Sequence, residues 1–151
     1  MPAVTLGTVL DRARAFEVRM AKYYARVRDQ STDNGTRLLT YYLARHRRHQ
    51  DQAWAGYDEA RVTRLRKTEL ADEIAFDPEK RFPLPGARPD SVTGKELLHA
   101  ALDYDQALMD LYRSILRQPL GDEVHGMLEL LVLVEERDVV MMKKMLTMHY
   151  F

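Results

Sequence analysis

Apolar residues recur with a helical period from about Thr5 to Asp29, through Leu6, Val9, Leu10, Ala13, Phe16, Met20, Tyr24 and Val27. The polar run from Ser31 to Thr36 reads as a turn, so the first helix is expected over about 5–30. A second helical pattern is expected over about 36–72, through Leu39, Tyr42, Ala53, Tyr57 and Ala60. From Arg61 onward that stretch is mostly charged, and it is expected either to leave the other helices or to bend at Gly56. Pro78, Pro83, Pro85 and Pro89 exclude regular helix from a connection of about 73–93. Thr93-x-x-Glu96 is a capping box that opens a third helix over about 94–117. Gln118-Pro119-Leu120-Gly121 breaks the chain before a fourth helix over about 122–148. The connections are thus short, long and short. Short connections make antiparallel neighbours, and a long one returns the chain to its starting end. The pattern predicts one all-α domain over 1–151: an antiparallel four-helix bundle made of two helical hairpins and a long crossover.

Each apolar stripe is interrupted once, near mid-helix, by groups that bind protons or metals. Glu17 falls on the buried phase of the first helix, and His46 and His49 on that of the second. Asp105 does so on the third, and Glu135 and Asp138 on the fourth. Glu136 is phased instead with Glu129 and Lys143 on a polar face. Counted from the turn centres, these positions lie at matched heights, within about one helical turn in each hairpin. The hairpins also match each other: 105 − 17 = 88 sets Glu17 on Asp105 and Tyr24 on Tyr112, and 135 − 46 = 89 sets His46-x-x-His49 on Glu135-x-x-Asp138. Buried carboxylates need a shared counter-charge, and one or two divalent metals supply it. Carboxylate oxygen and imidazole nitrogen suit iron, manganese or zinc. Tyr24, Tyr42, Tyr104 and Tyr112 are expected to flank this layer, and His99, His125 and His149 to lie off it.

Composition narrows the chemistry. Among 151 residues there is no cysteine, which excludes disulfides, zinc ribbons, iron–sulfur clusters and thiol catalysis. The formal net charge is zero, so no nucleic-acid or anionic-membrane partner is expected. The arginines at 45, 47 and 48 and at 61, 64 and 66 read as solvated helix faces. The longest apolar run, Leu130 to Val134, is too short to span a bilayer, no leader pattern is visible, and a cytoplasmic location is expected. Met141, Met142, Met145 and Met148, with Tyr150 and Phe151, form a soft apolar end suited to core or to a homodimer surface. A homo-oligomer is expected, a dimer before other states.

The ligand pattern resembles the ferritin-like di-iron carboxylate superfamily, in its rubrerythrin-like branch, over nearly the whole chain outside the crossover. That family places one Glu on each of two helices and Glu-x-x-His on each of the other two. By this resemblance Glu17 and Asp105 stand at the single-carboxylate positions, and His46-x-x-His49 and Glu135-x-x-Asp138 at the paired ones. Glu17, His49 and Glu135 keep the family's residue type; His46 stands for a Glu, Asp105 for a Glu and Asp138 for a His. The resemblance implies a metal-binding protein, di-iron or mononuclear, that reacts with O2 or peroxide or oxidises Fe(II), with an electron donor the sequence does not name. The residues leave other readings open: a non-catalytic bundle serving as an interaction or oligomerisation module without metal, or a small-ligand pocket in the same polar layer.

Overall fold

The structure is a computed structural model that describes residues 4–71, 76–78 and 88–148. Its regular elements are helices: α1 Leu6–Gln30, α2 Asn34–Leu43, α3 Arg45–Trp54, α4 Glu59–Arg66, α5 Gly94–Leu116 and α6 Asp122–Met148. Among the described residues, extended pairing is limited to one isolated bridge between Thr5 and Glu69. No helix of the described residues is long and apolar enough to cross a membrane.

Side-chain caps start the helices where the sequence places short polar residues. Thr5 Oγ1 accepts from Thr8 N at 3.2 Å, and Asp33 Oδ2 from Thr36 N at 2.9 Å. At α5, Thr93 Oγ1 accepts from Glu96 N at 3.1 Å and donates to Glu96 Oε1 at 3.2 Å. Each bond from a backbone N–H satisfies an amide that the first helical turn leaves without a partner. Asp122 and Glu123 place negative charge at the start of α6, where the helix dipole favours it.

The second helix differs from the continuous one expected over 36–72. It is three helices, α2, α3 and α4. The first break, at Ala44, falls where the apolar stripe stops, because α3 has no fully buried residue to hold it in register with α2. The second break covers 55–58, around Gly56, and Asp58 then caps α4 by accepting from Arg61 N at 2.8 Å. Ala60, expected on the buried stripe, is exposed. The charged end bends and stays packed. Leu65 is buried, Arg64 pairs with Glu123 at 2.9 Å, and Arg66 pairs with Asp11 at 2.8 Å. Beyond α4 the chain returns to the start of α1, where Leu6 N donates to Thr68 O and Leu70 N to Val4 O, each at 2.9 Å.

The core is continuous from Leu6 and Val9 on α1 through Leu39 and Leu43 on α2 to Leu98, Leu108 and Ile115 on α5 and Leu128 and Leu131 on α6. Of the crossover, Phe76 and Val92 are buried against it, and Arg12 reaches Phe76 O at 3.5 Å. The residues numbered 72–75 and 79–87, with Pro83 and Pro85, lie outside the described residues, as do His149, Tyr150 and Phe151.

Two glycines separate close packing from mere permissiveness. A Cβ on Gly7 would meet the Arg66 carbonyl oxygen at 2.9 Å, whereas one on Gly126, exposed on α6, would meet nothing within 4 Å. Gly126→Ala is expected to raise stability by about 0.5–1 kcal/mol through helix propensity. Gly7→Ala is expected to lower it, because backbone must shift. Thermal unfolding followed by circular dichroism measures both; equal shifts of one sign would contradict the close α1–α4 approach.

Candidate metal centre

Four helices bring one polar layer together. Glu17 comes from the middle of α1, Asp105 from α5, and Glu135 and Asp138 from α6; all four are buried. On α3 the spacing 46, 49 and 50 sets His46, His49 and Gln50 on one side of the helix. Glu136, by contrast, is exposed, as its phase on α6 predicts.

His46 lies at the centre of the layer. Its Nε2 is 2.7 Å from Glu135 Oε2, 3.4 Å from Asp105 Oδ1 and 4.0 Å from Asp138 Oδ2. Its Nδ1 is 2.8 Å from Glu17 Oε1. That contact is an ion pair and does not align as a hydrogen bond. His49 lies at the rim, with its side chain 40% exposed and its Nδ1 3.0 Å from Asp138 Oδ1. All six residues singled out in the sequence therefore meet in one layer, five inside it and His49 at its edge. His46, Asp105 and Glu135 each offer one ligand atom within 4.8 Å of the others'.

A cavity of about 50 Å3 opens beside these groups, lined by Glu17, His46, His49, Asp105 and Asp138 and by Tyr24, Tyr42 and Tyr104. That is room for an ion or a few waters. Two buried oxygens, Glu17 Oε1 and Asp138 Oδ2, have no hydrogen-bond partner. Buried carboxylate oxygens without partners are costly, and a cation bound beside them removes that cost. The donor set, oxygens and imidazole nitrogens, fits a divalent transition metal. The residues present thus fit such an ion, with His46, Asp105 and Glu135 as the closest group of donors.

The electrostatics follow from burial. Desolvation pushes the Asp105 carboxyl well above its ordinary value, with the charges of Glu135, Glu17 and Asp138 adding to it and His46 opposing. Desolvation also raises Glu135, against the charge of His46 and the hydrogen bonds from His46 and Gln50. For His46, burial acts downward, but the charges of Asp105 and Glu135 outweigh it and hold the imidazolium well above its usual range. Burial raises Tyr24, Tyr104 and Tyr112, so these stay neutral phenols around the layer. Tyr104 donates to Ala13 O at 3.4 Å and meets the His46 ring edge-on at 6.5 Å. Tyr112 is buried beyond the cavity wall. Of the other histidines, His99 is exposed and His125 approaches Gln118 O at 3.3 Å, both away from the layer.

One participant escapes a search for metal-type ligands. Gln50 Nε2 donates to Glu135 Oε1 at 2.7 Å. Its signal was present in the spacing, since 50 − 46 = 4 puts it one turn beyond His46 on the same face. Searches against known proteins add no relative: no family model, curated protein or solved structure matches the chain.

In the metal-free protein these shifts set the pH dependence of stability. Asp105, Glu135 and His46, with ordinary values 3.8, 4.5 and 6.5, all bind protons more tightly folded than unfolded. Stability from them is full at low pH and is lost as pH rises through the raised folded values. The Asp33 cap, whose carboxyl is lowered by its hydrogen bonds to Thr36, acts in the opposite sense only below the usual carboxylate range. Urea unfolding with chelator present is expected to give higher stability at about pH 5.5 than at about pH 8. A rise in stability over that interval would be the contrary result.

Proposed function

We propose that the chain is a ferritin-like metal-binding protein: one domain, an antiparallel four-helix bundle in which α2, α3 and α4 together form the second helix. The order of contacts supports this arrangement. Along the second helix His46 meets Glu135 while Arg64 meets Glu123, so it runs against α6. Glu17 meets His46 while Leu6 meets Thr68, so α1 also runs against it. The observation that carries the metal reading is the pair of buried oxygens without a hydrogen bond, on Glu17 and Asp138, beside the His46, Asp105 and Glu135 donors. These five residues hold a divalent ion, with His49 at the mouth. Iron bound there would supply the redox change needed to oxidise Fe(II) or to react with O2 or peroxide. The chain's own part is to fix the donors, to exclude bulk water with Tyr24, Tyr104 and Met142, and to keep those phenols protonated.

A second reading has its own support. His46 places a protonated imidazole between Glu17 and Glu135, within 2.8 Å of each. That internal cation balances much of the layer's charge without metal, as a non-catalytic interaction module would require. Metal analysis separates the two. Protein purified without chelator and reconstituted in turn with Fe(II), Mn(II) and Zn(II) is expected to retain stoichiometric metal after gel filtration. Gln50→Ala, which removes the hydrogen bond that orients Glu135, is expected to weaken binding about 10- to 100-fold. Absence of stoichiometric metal with all three ions would leave the metal-free module as the function.

A further inference from the structure

Two cavities meet at α3. The inner one is the polar cavity of the candidate centre. The outer one is a groove of about 1040 Å3 between α3 and the outward side of α6. Tyr42, His49 and Asp138 line both. Asp138 divides its oxygens between the two sides. Oδ1 contacts the half-exposed His49 at 3.0 Å. Oδ2 is buried, lacks a hydrogen-bond partner and lies 4.0 Å from His46 Nε2.

We propose that this groove is the entry route for a divalent cation, and that Asp138 passes the ion from His49 inward to the His46, Asp105 and Glu135 group. The inference rests on the metal reading above and assigns the six polar residues different tasks. A carboxylate can hold a cation through either oxygen, so an ion bound at Oδ1 reaches Oδ2 without returning to water. His49 supplies the second donor at the outer position. Among the described residues, Glu136 is the one other carboxylate on the remaining groove surface. Leu130, Leu133 and Val140 form apolar wall, and the fixed charges of Arg45, Arg137, Glu136 and Asp138 sum to zero. Asp138, unlike Glu136, also lines the inner cavity, and a charge added at the mouth would be felt by each arriving ion.

The test uses the full chain and Co(II), whose visible absorption reports coordination, in stopped-flow uptake. Leu133 is 55% exposed in the groove, so charged substitutions there are tolerated by the fold. Leu133→Glu is expected to speed uptake, and Leu133→Arg to slow it, each by at least about threefold at low salt. The same pair of changes at Leu38, 69% exposed on α2 and outside the groove, is expected to leave the rate unchanged. Asp138→Asn, which alters both the relay and one of the five donors, is expected to slow uptake and to lower the final Co(II) per chain. Uptake that ignores the charge at Leu133, or responds equally at Leu38, overturns the route while leaving the metal reading intact. If the unaltered chain takes up no Co(II), the metal reading fails, and the route fails with it.

Discussion

The layer at mid-height depends on one constraint: four carboxylates, on Glu17, Asp105, Glu135 and Asp138, are buried within reach of one another and need a cation among them. Left alone, each would cost several kcal/mol to bury in ionised form. His46 meets part of that demand by lying against all four, and burial raises the proton affinity of Asp105 and Glu135. Two of the oxygens beside it, on Glu17 and Asp138, still have no hydrogen bond. Proton, imidazolium and metal are thus alternative answers to the same electrostatic problem, and the surrounding helices hold the problem in place.

The rest of the fold reads as support for that layer. Above and below it the helices pack through ordinary apolar residues, among them Leu98, Leu108, Leu128 and Leu131. α3 is different. Its inward contacts near the centre are polar: His46 and Gln50 to Glu135, and His49 to Asp138. Ala53 and Trp54, partly buried, tie its far end to the core. Beside this helix, Tyr42, His49 and Asp138 line both the groove and the cavity.

The helical pattern was largely legible in the sequence because stripe and caps agree. Thr5, Asp33 and Thr93 each cap a helix whose apolar period begins just beyond them. The site residues were legible through their phase: Glu17, Asp105, Glu135 and Asp138 occupy positions that the stripe reserves for apolar side chains. Periodicity does not report continuity, however. It carried the second helix through Ala44, where loss of buried residues on α3 breaks it, and to Ala60, although Gly56 did mark the bend that re-aims the chain. Nor does it report partners. The pairing of Arg64 with Glu123 and of Arg66 with Asp11, which holds α4 down, needs distances between residues far apart in the chain. Gln50 was missed because amides are rarely metal ligands, although its spacing from His46 marked it.

The central claim is that the carboxylate layer is answered by a bound metal. Anomalous diffraction at the iron and zinc edges, from crystals grown with each ion and without chelator, tests it most directly. The account predicts an anomalous peak within bonding distance of His46, Asp105 and Glu135. Crystals that show His46 still lying between Glu17 and Glu135, with no anomalous peak in the cavity, would contradict it.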